Sequence, residues 1–381
     1  MRVLILRLGL VTMTLAGSSL LFGKTTVPAT PITPARVAIY YGYPSLVNGS
    51  SGDVEKAASV FSAYDVVVLG DGLEFPDKEF DRYPPGDPEE HRKVRGIIAA
   101  VRGRNPKTRF YGYVCLGEIS APMGEKISLT PEQLEERVRL WKQMGVAGIF
   151  LDEAGYDFAV VTRKRQNMAV KIIHELGLSA FLNAYFLDHL FSLEDKLPYA
   201  NGTAKNPERL PPLLDRRDLF LLESFQVRNG NYESTAAWQA RLKQALRYRQ
   251  RYGAHIFATT TTTEQEPFSS EKFNYAWWTA LLYGLDGFSW GEPDFAALTN
   301  ALPDRHCGLD KATLGALDQS PTVGSDNRRF WRRASDFLVV VDTTTHFVYR
   351  VPCDTPVEPK NIETFLLSPR RESLLACGGG A

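Results

Sequence analysis

Two short apolar runs in this 381-residue chain end in acids. Residues 148–151 run into Asp152 and Glu153, and residues 219–222 run into Glu223. Side chains alternate along a strand, so Gly148, Phe150 and Asp152 share one face, as do Leu219, Leu221 and Glu223. Glu153 has the opposite parity, which suits a helix N-cap or a loop anchor. A run between them, residues 178–185, puts Phe181, Asn183 and Tyr185 on one face. Two carboxylates converging from strands two apart suit glycoside hydrolysis. One acid protonates the leaving oxygen, and the other attacks the anomeric carbon or activates water. Their environments must push their pKa values apart. Glu223 sits in apolar sequence that raises its pKa, which makes it the acid/base. Asp152 neighbours polar loop positions and is expected to stay ionised, as nucleophile or water-activating base. Alternate strands lie on the order of 10 Å apart, which leaves both the ~5–5.5 Å of retention and the ~6.5–9.5 Å of inversion open.

The elements that must position these groups alternate regularly. Strands are expected at residues 37–43, 65–71, 109–117, 148–152, 178–185, 219–226, 255–262 and 286–290. Helices are expected at 54–61, 89–101, 130–144, 162–176, 234–252 and 270–283, with a weak one after the fifth strand. Thr130, Pro131 and Gln133 carry a cap, a first-turn proline and a capping-box partner, and Gly145 stops that helix. Near-continuous apolar strands separated by amphipathic helices imply a parallel sheet covered by helices. Eight such units close into a (β/α)8 barrel, an α/β fold whose chemistry sits at the carboxyl ends of the strands. An open doubly wound sheet is disfavoured because GYPSLVNGSSG after the first strand lacks GxGxxG spacing. The expected organisation is an export signal at 1–23, a Thr/Pro-rich linker at 24–35 and the barrel at 36–300. A β-containing extension at 301–360, with strands at 337–341 and 346–351, and a tail at 361–381 complete it.

The strand ends then collect at one mouth. Besides Asp152, Glu223 and Asn183 they include Asp71, Glu118, Glu153, Thr259–Thr263 and Glu292. Tyr41, Tyr43, Tyr185 and Trp290 are placed to stack on sugar faces, the alternative being that they fill the barrel top. Asp71 is either a substrate contact or a cap on the loop through Gly70 and Gly72. Glu118 is either a substrate contact or the partner of an arginine. The acids favour a cationic polymer. No lysine lies inside a strand and no serine in a GxSxG turn, which argues against a Schiff-base aldolase and an α/β-hydrolase.

The formal net charge is +0, with no basic run, so nucleic acid is not an expected partner. Among the four cysteines, Cys115 lies in an apolar run and reads as a buried free thiol. Cys307 and Cys353 are candidates for a bridge, and Cys377 is near the end. No metal-ligand spacing occurs, so neither metal nor cofactor is expected. The apolar start reads as a cleaved signal, with no membrane insertion afterwards, and the expected location is secreted or periplasmic. Asn48-Gly-Ser and Asn201-Gly-Thr match the glycosylation acceptor pattern.

YYGYP in the first strand, GYVCLGE in the third, GVAGIFLDEAGYD in the fourth, LNAY in the fifth and LLESFQ in the sixth resemble glycoside hydrolase family 114 barrels. The likeness spans about Arg36 to Glu292. It implies an endo-acting hydrolase of galactosamine-containing polysaccharide, related to endo-α-1,4-polygalactosaminidases, with Asp152 and Glu223 as the catalytic pair. A monomer acting on polysaccharide is expected. The alternatives are a catalytically silent polysaccharide-binding barrel at the cell surface and a hydrolase of another α-glycan.

Overall fold

The computed structural model describes residues 33–79, 83–120, 126–195, 197, 203–306, 321–324, 327–333 and 337–352. The expected export signal, Asn201, Cys307, Cys353, Cys377 and the tail lie outside the described residues. Eight parallel strands close into a barrel. They are β1 (Ala35–Tyr40), β2 (Val66–Leu69), β3 (Arg109–Cys115), β4 (Gly148–Asp152), β5 (Ser179–Asn183), β6 (Leu219–Leu222), β7 (His255–Thr259) and β8 (Gly287–Ser289). Each pairs with the next, and β1 closes on β8 through Ala35 opposite Gly287. The strands end earlier than the apolar runs do. The last residues of those runs leave the ladder and line the mouth.

Among the described residues seven helices cover the barrel: α1 (Val54–Phe61), α2 (Pro88–Arg104), α3 (Pro131–Met144), α4 (Arg163–Glu175), α5 (Leu187–Phe191), α6 (Thr235–Tyr252) and α7 (Ser270–Leu282). Local chemistry sets their ends. Thr130 and Gln133 exchange capping-box bonds at the start of α3, and Gly145 ends it with φ 94°. The weak helix after β5 is α5, a single short turn. After β8 comes a 3-10 turn, Pro293–Ala296, and no α-helix follows it among the described residues.

The interior is filled by alternate residues of the strands. Val37, Val68, Tyr111, Phe150, Phe181 and Phe257 form a buried cluster inside the barrel. Phe181 is its hub, edge-on to Phe150 at 5.0 Å and to Tyr111 at 5.6 Å. These rings form the floor beneath the carboxylates. Gly148 is required at its level, because a Cβ there collides with the Ser179 carbonyl and the Tyr111 ring.

The C-terminal part holds more strands than the pattern suggests. Four antiparallel strands, β9 (Thr322–Val323), β10 (Arg329–Arg333), β11 (Phe337–Asp342) and β12 (Val348–Pro352), form one sheet. The sheet packs on the outside of α6 and α7, where Phe330 meets Trp238 at 6.0 Å and Tyr283 at 5.1 Å. The loops after β1 and β8 are also tied together. The Asn48 side chain donates to the Leu302 carbonyl at 2.8 Å and accepts from the Leu302 amide at 2.7 Å.

Glycine inside a strand ordinarily weakens it, so alanine there ordinarily stabilises. Gly148→Ala is expected to do the opposite and lower stability by about 1–3 kcal/mol through overpacking. Denaturant unfolding of the variant against the parent measures it, and a more stable variant contradicts the crowding.

Candidate active site

Three consecutive strands deliver three polar side chains to one point. Asp152 ends β4, Asn183 ends β5 and Glu223 follows β6. The Asn183 Nδ2 donates to Asp152 Oδ1 at 2.9 Å and to Glu223 Oε2 at 2.8 Å. One amide nitrogen therefore bridges both acids. Their nearest oxygens are no further apart than the sum of those two bonds. Face alternation on β4, β5 and β6 places all three as the parity of the sequence requires.

The backbone beside each acid is strained. Glu153, directly after Asp152, has φ 51°, and Ser224, directly after Glu223, has φ 56°. Neither is glycine, so each conformation must be held by its surroundings. Glu153 is held as a loop anchor. Its Oε2 accepts from the Glu118 amide at 3.1 Å and from the Cys115 thiol at 3.4 Å. Gly117 leaves room for that carboxylate, since a Cβ there overlaps it. The Ser224 turn is held by Arg241 of α6, which donates to the Glu223 carbonyl at 2.9 Å and the Ser224 carbonyl at 3.1 Å. The Ser224 hydroxyl pairs with the Thr261 hydroxyl at 2.9 Å, which gives the seventh-strand threonines a structural task.

Burial raises the pKa of both acids above the ordinary carboxylate range. For Asp152 this corrects the expectation of a simple polar setting. Its polar neighbours are real, but the barrel walls exclude water from it. Asp152 accepts from Asn183, from the Glu153 amide at 2.9 Å and from the Tyr113 hydroxyl, and all three favour its anion. Glu223 has Asn183 as its hydrogen-bond donor, with the charges of Arg241 and Arg228 nearby. Burial and the neighbouring acids push the Tyr113 and Tyr41 hydroxyls up, so both stay protonated.

The other expected site residues divide. Tyr41 lies at the centre of the mouth, with its ring 5.4 Å from Tyr113 and its hydroxyl within the fields of Asp152, Glu223 and Asp71. Tyr185 lies on the Glu223 side, with the guanidinium groups of Arg228 at 5.1 Å and Arg241 at 4.8 Å over its ring. Tyr43 is on the rim, half-exposed, with its amide bound to Asn300 Oδ1 at 2.7 Å. Trp290 is a correction. It has the outward parity of Phe288 on β8 and is buried against Phe268 at 5.2 Å and Phe273 at 6.2 Å, away from the mouth. Gly287 and Ser289 take the inward positions.

The acids at the strand ends are also less free than expected. Asp71 does not cap its loop: it pairs with Arg137, a buried α3 side chain that also binds the wholly buried Glu74. Glu118 pairs with Lys126, not an arginine, at 3.3 Å, and Glu292 pairs with Arg305 at 2.9 Å. Those pairings leave Asp152, Glu153 and Glu223 as the mouth acids not bridged to a cation, which removes much of the argument for a cationic polymer.

Sequence reasoning missed Tyr113 and Arg241. Tyr113 shares parity with Tyr111 on β3, so alternation could have found it. Arg241 lies mid-helix with no local signal. At the opposite end of the barrel His174, Asp215 and Asp218 bring three residues of metal-ligating type together. There Asp218 accepts from His174 at 2.9 Å and from the backbone amides of Ala180 and Asp215, so its oxygens serve as a structural hub.

No family model matches the chain, and no curated protein does. Solved structures similar to it include an endo-β-1,4-glucanase from Xanthomonas axonopodis pv. citri. That one is 10% identical with a TM-score of 0.40, covering 68% of this chain and 86% of that one. A β-L-arabinopyranosidase from Geobacillus stearothermophilus in complex with arabinose is 9% identical with a TM-score of 0.45, covering 82% and 85%. Morphinone reductase is 10% identical with a TM-score of 0.37, covering 70% and 86%. At these levels no activity passes from them to this chain.

Removing one partner of a buried ion pair strands the other charge. Arg137→Met is expected to cost about 3–5 kcal/mol in denaturant unfolding. Burial raises Glu74 to about 7, so the cost is larger at pH 8 than at pH 5, where Glu74 takes up a proton. Glu223 gives the converse test. Its folded pKa is raised, so its favourable contribution is complete below the unfolded value and is lost as pH rises through the folded value. Glu223→Gln should therefore raise Tm at pH 7, with the gain fading toward pH 4. A Tm difference independent of pH contradicts this.

Proposed function

We propose that this chain is an exported glycoside hydrolase that cuts galactosamine-containing polysaccharide internally with Asp152 and Glu223. The observation that carries the reading is the Asn183 amide bridging both carboxylates at 2.9 and 2.8 Å. It brings the acids from separate strands into one water-poor mouth of a barrel, at the strand ends where barrel enzymes do their chemistry. The sugar and the export route rest on the sequence alone: the five-motif resemblance and the apolar start of the chain.

The two acids divide the work by their surroundings. Glu223, desolvated and with fewer donors, holds the proton and gives it to the leaving oxygen. Asp152, with three donors on its anion, attacks the anomeric carbon. The close approach of their nearest oxygens favours the ~5–5.5 Å spacing of retaining enzymes over the ~6.5–9.5 Å of inverting ones. In the second step Glu223 takes a proton from a water whose oxygen bonds to the anomeric carbon, and Asp152 leaves as a carboxylate. Tyr113 keeps its proton and steadies Asp152 as charge leaves it. Left-handed backbone after both acids supports the reading, because strain of this kind gathers at functional sites.

Asp152→Asn and Glu223→Gln should each lower release of reducing ends from α-1,4-linked polygalactosamine by about 10²–10⁴-fold. Product NMR during turnover should show the substrate's own anomer first. With both acids raised, the activity bell should lie above the ordinary carboxylate range on both limbs. A wild type that binds the polymer and releases no reducing ends supports the silent binding barrel. Cleavage of a different α-glycan in a panel replaces the substrate and keeps the mechanism.

A further inference from the structure

The chain leaves β8 through an unusual turn. Asp294, Phe295 and Ala296 are consecutive non-glycine residues with φ of 47°, 48° and 66°. Left-handed backbone crowds each Cβ against the following carbonyl, so three in a row persist only where tertiary contacts hold them. The contacts are present. The Phe295 amide donates to the Glu292 carbonyl at 2.9 Å, and the Phe295 carbonyl accepts from the Tyr41 amide at 2.8 Å. The second bond joins the loops after β8 and β1 across the barrel's closing seam.

The turn carries the Phe295 ring back over the barrel. Its centroid lies 5.3 Å from that of Tyr41, with the rings inclined at 58°. Gly291 makes this approach possible, because a Cβ there lies 3.1 Å from the edge of the Phe295 ring and overlaps the Thr260 carbonyl. Phe295 is mostly buried but keeps some exposed surface, as do Tyr41, Tyr113 and the three polar residues of the site. A phenylalanine packed on the barrel-interior cluster next to Tyr41 and left partly bare presents an apolar surface to whatever enters.

We propose that Phe295 is a substrate-binding residue: with Tyr41 it forms the aromatic wall on which the apolar face of a sugar ring stacks beside Asp152 and Glu223. This rests on the glycosidase reading above. It gives Phe295 the platform role that the sequence suggested for Trp290. Sugar C–H faces pack on aromatic rings, and the Tyr41 half of this wall has its hydroxyl within the fields of Asp152 and Glu223.

The test uses the full chain and α-1,4-linked galactosamine oligosaccharides. Phe295→Leu should raise KM about tenfold with kcat changed less than threefold, Phe295→Tyr should restore KM, and Leu298→Ala, an exposed change in the same loop, should leave it unchanged. Tm should stay within a few degrees of the parent. Should Phe295→Leu fail to fold, Phe295→Trp in the Glu223→Gln background gives a second reading. Its emission should shift when the oligosaccharide is added, beyond the change seen with Glu223→Gln alone. Unchanged KM in Phe295→Leu, a loss that Tyr does not restore, or no added emission change overturns the inference. A wild type that leaves the oligosaccharides intact brings down the galactosamine reading and this inference with it. A wild type that cleaves them while Phe295→Leu binds normally brings down this inference alone.

Discussion

One amide stands between two acids that repel. Asp152 and Glu223 are brought together where water is scarce, and each alone would resist ionisation there. Asn183 offers both hydrogens of a single nitrogen, one to each carboxylate. It carries no charge, so it links the acids without fixing both as anions, as a lysine or arginine would. The pair can hold one proton between two sites, as acid catalysis requires. The surrounding structure serves that placement. Three neighbouring strands must end at one level, and the ring plug beneath them must be rigid enough to keep them there.

That plug explains why the interior is aromatic. Phe150 and Tyr111 meet Phe181 edge-to-face and Phe257 meets it tilted, which leaves few ways to repack. The residues that place the acids share their strands and faces with the plug. Strain falls on the next residue along, Glu153 or Ser224. Each is tied by hydrogen bonds to neighbouring loops, so a stable barrel supports an unfavourable turn at each acid.

Much of this could be read from the chain because a period of two is unambiguous on short strands ending in polar residues. Asp152, Asn183 and Glu223 were found that way, and Tyr113 could have been. Trp290 was misplaced because β8 spans only Gly287–Ser289, and its small residues, not its large ones, face inward. The partners of Asp71 and Glu223 were invisible for another reason. Arg137 and Arg241 reach the mouth from helices, through contacts that no local pattern encodes. Left-handed backbone at Glu153, Ser224 and Phe295 was equally hidden, since none is glycine or asparagine.

The Asn48 side chain has a bearing on how this protein is made. Its amide oxygen and nitrogen each bond to the backbone of Leu302, a residue 254 positions later in the chain. Asn48 also begins an Asn-Gly-Ser triplet. In a eukaryotic host that routes the chain into the secretory pathway, the glycosylation machinery would meet that asparagine long before Leu302 has been synthesised. A sugar added then occupies the nitrogen that later ties the loops after β1 and β8. Bacterial production, or replacement of Ser50 where glycosylation is active, keeps that tie intact.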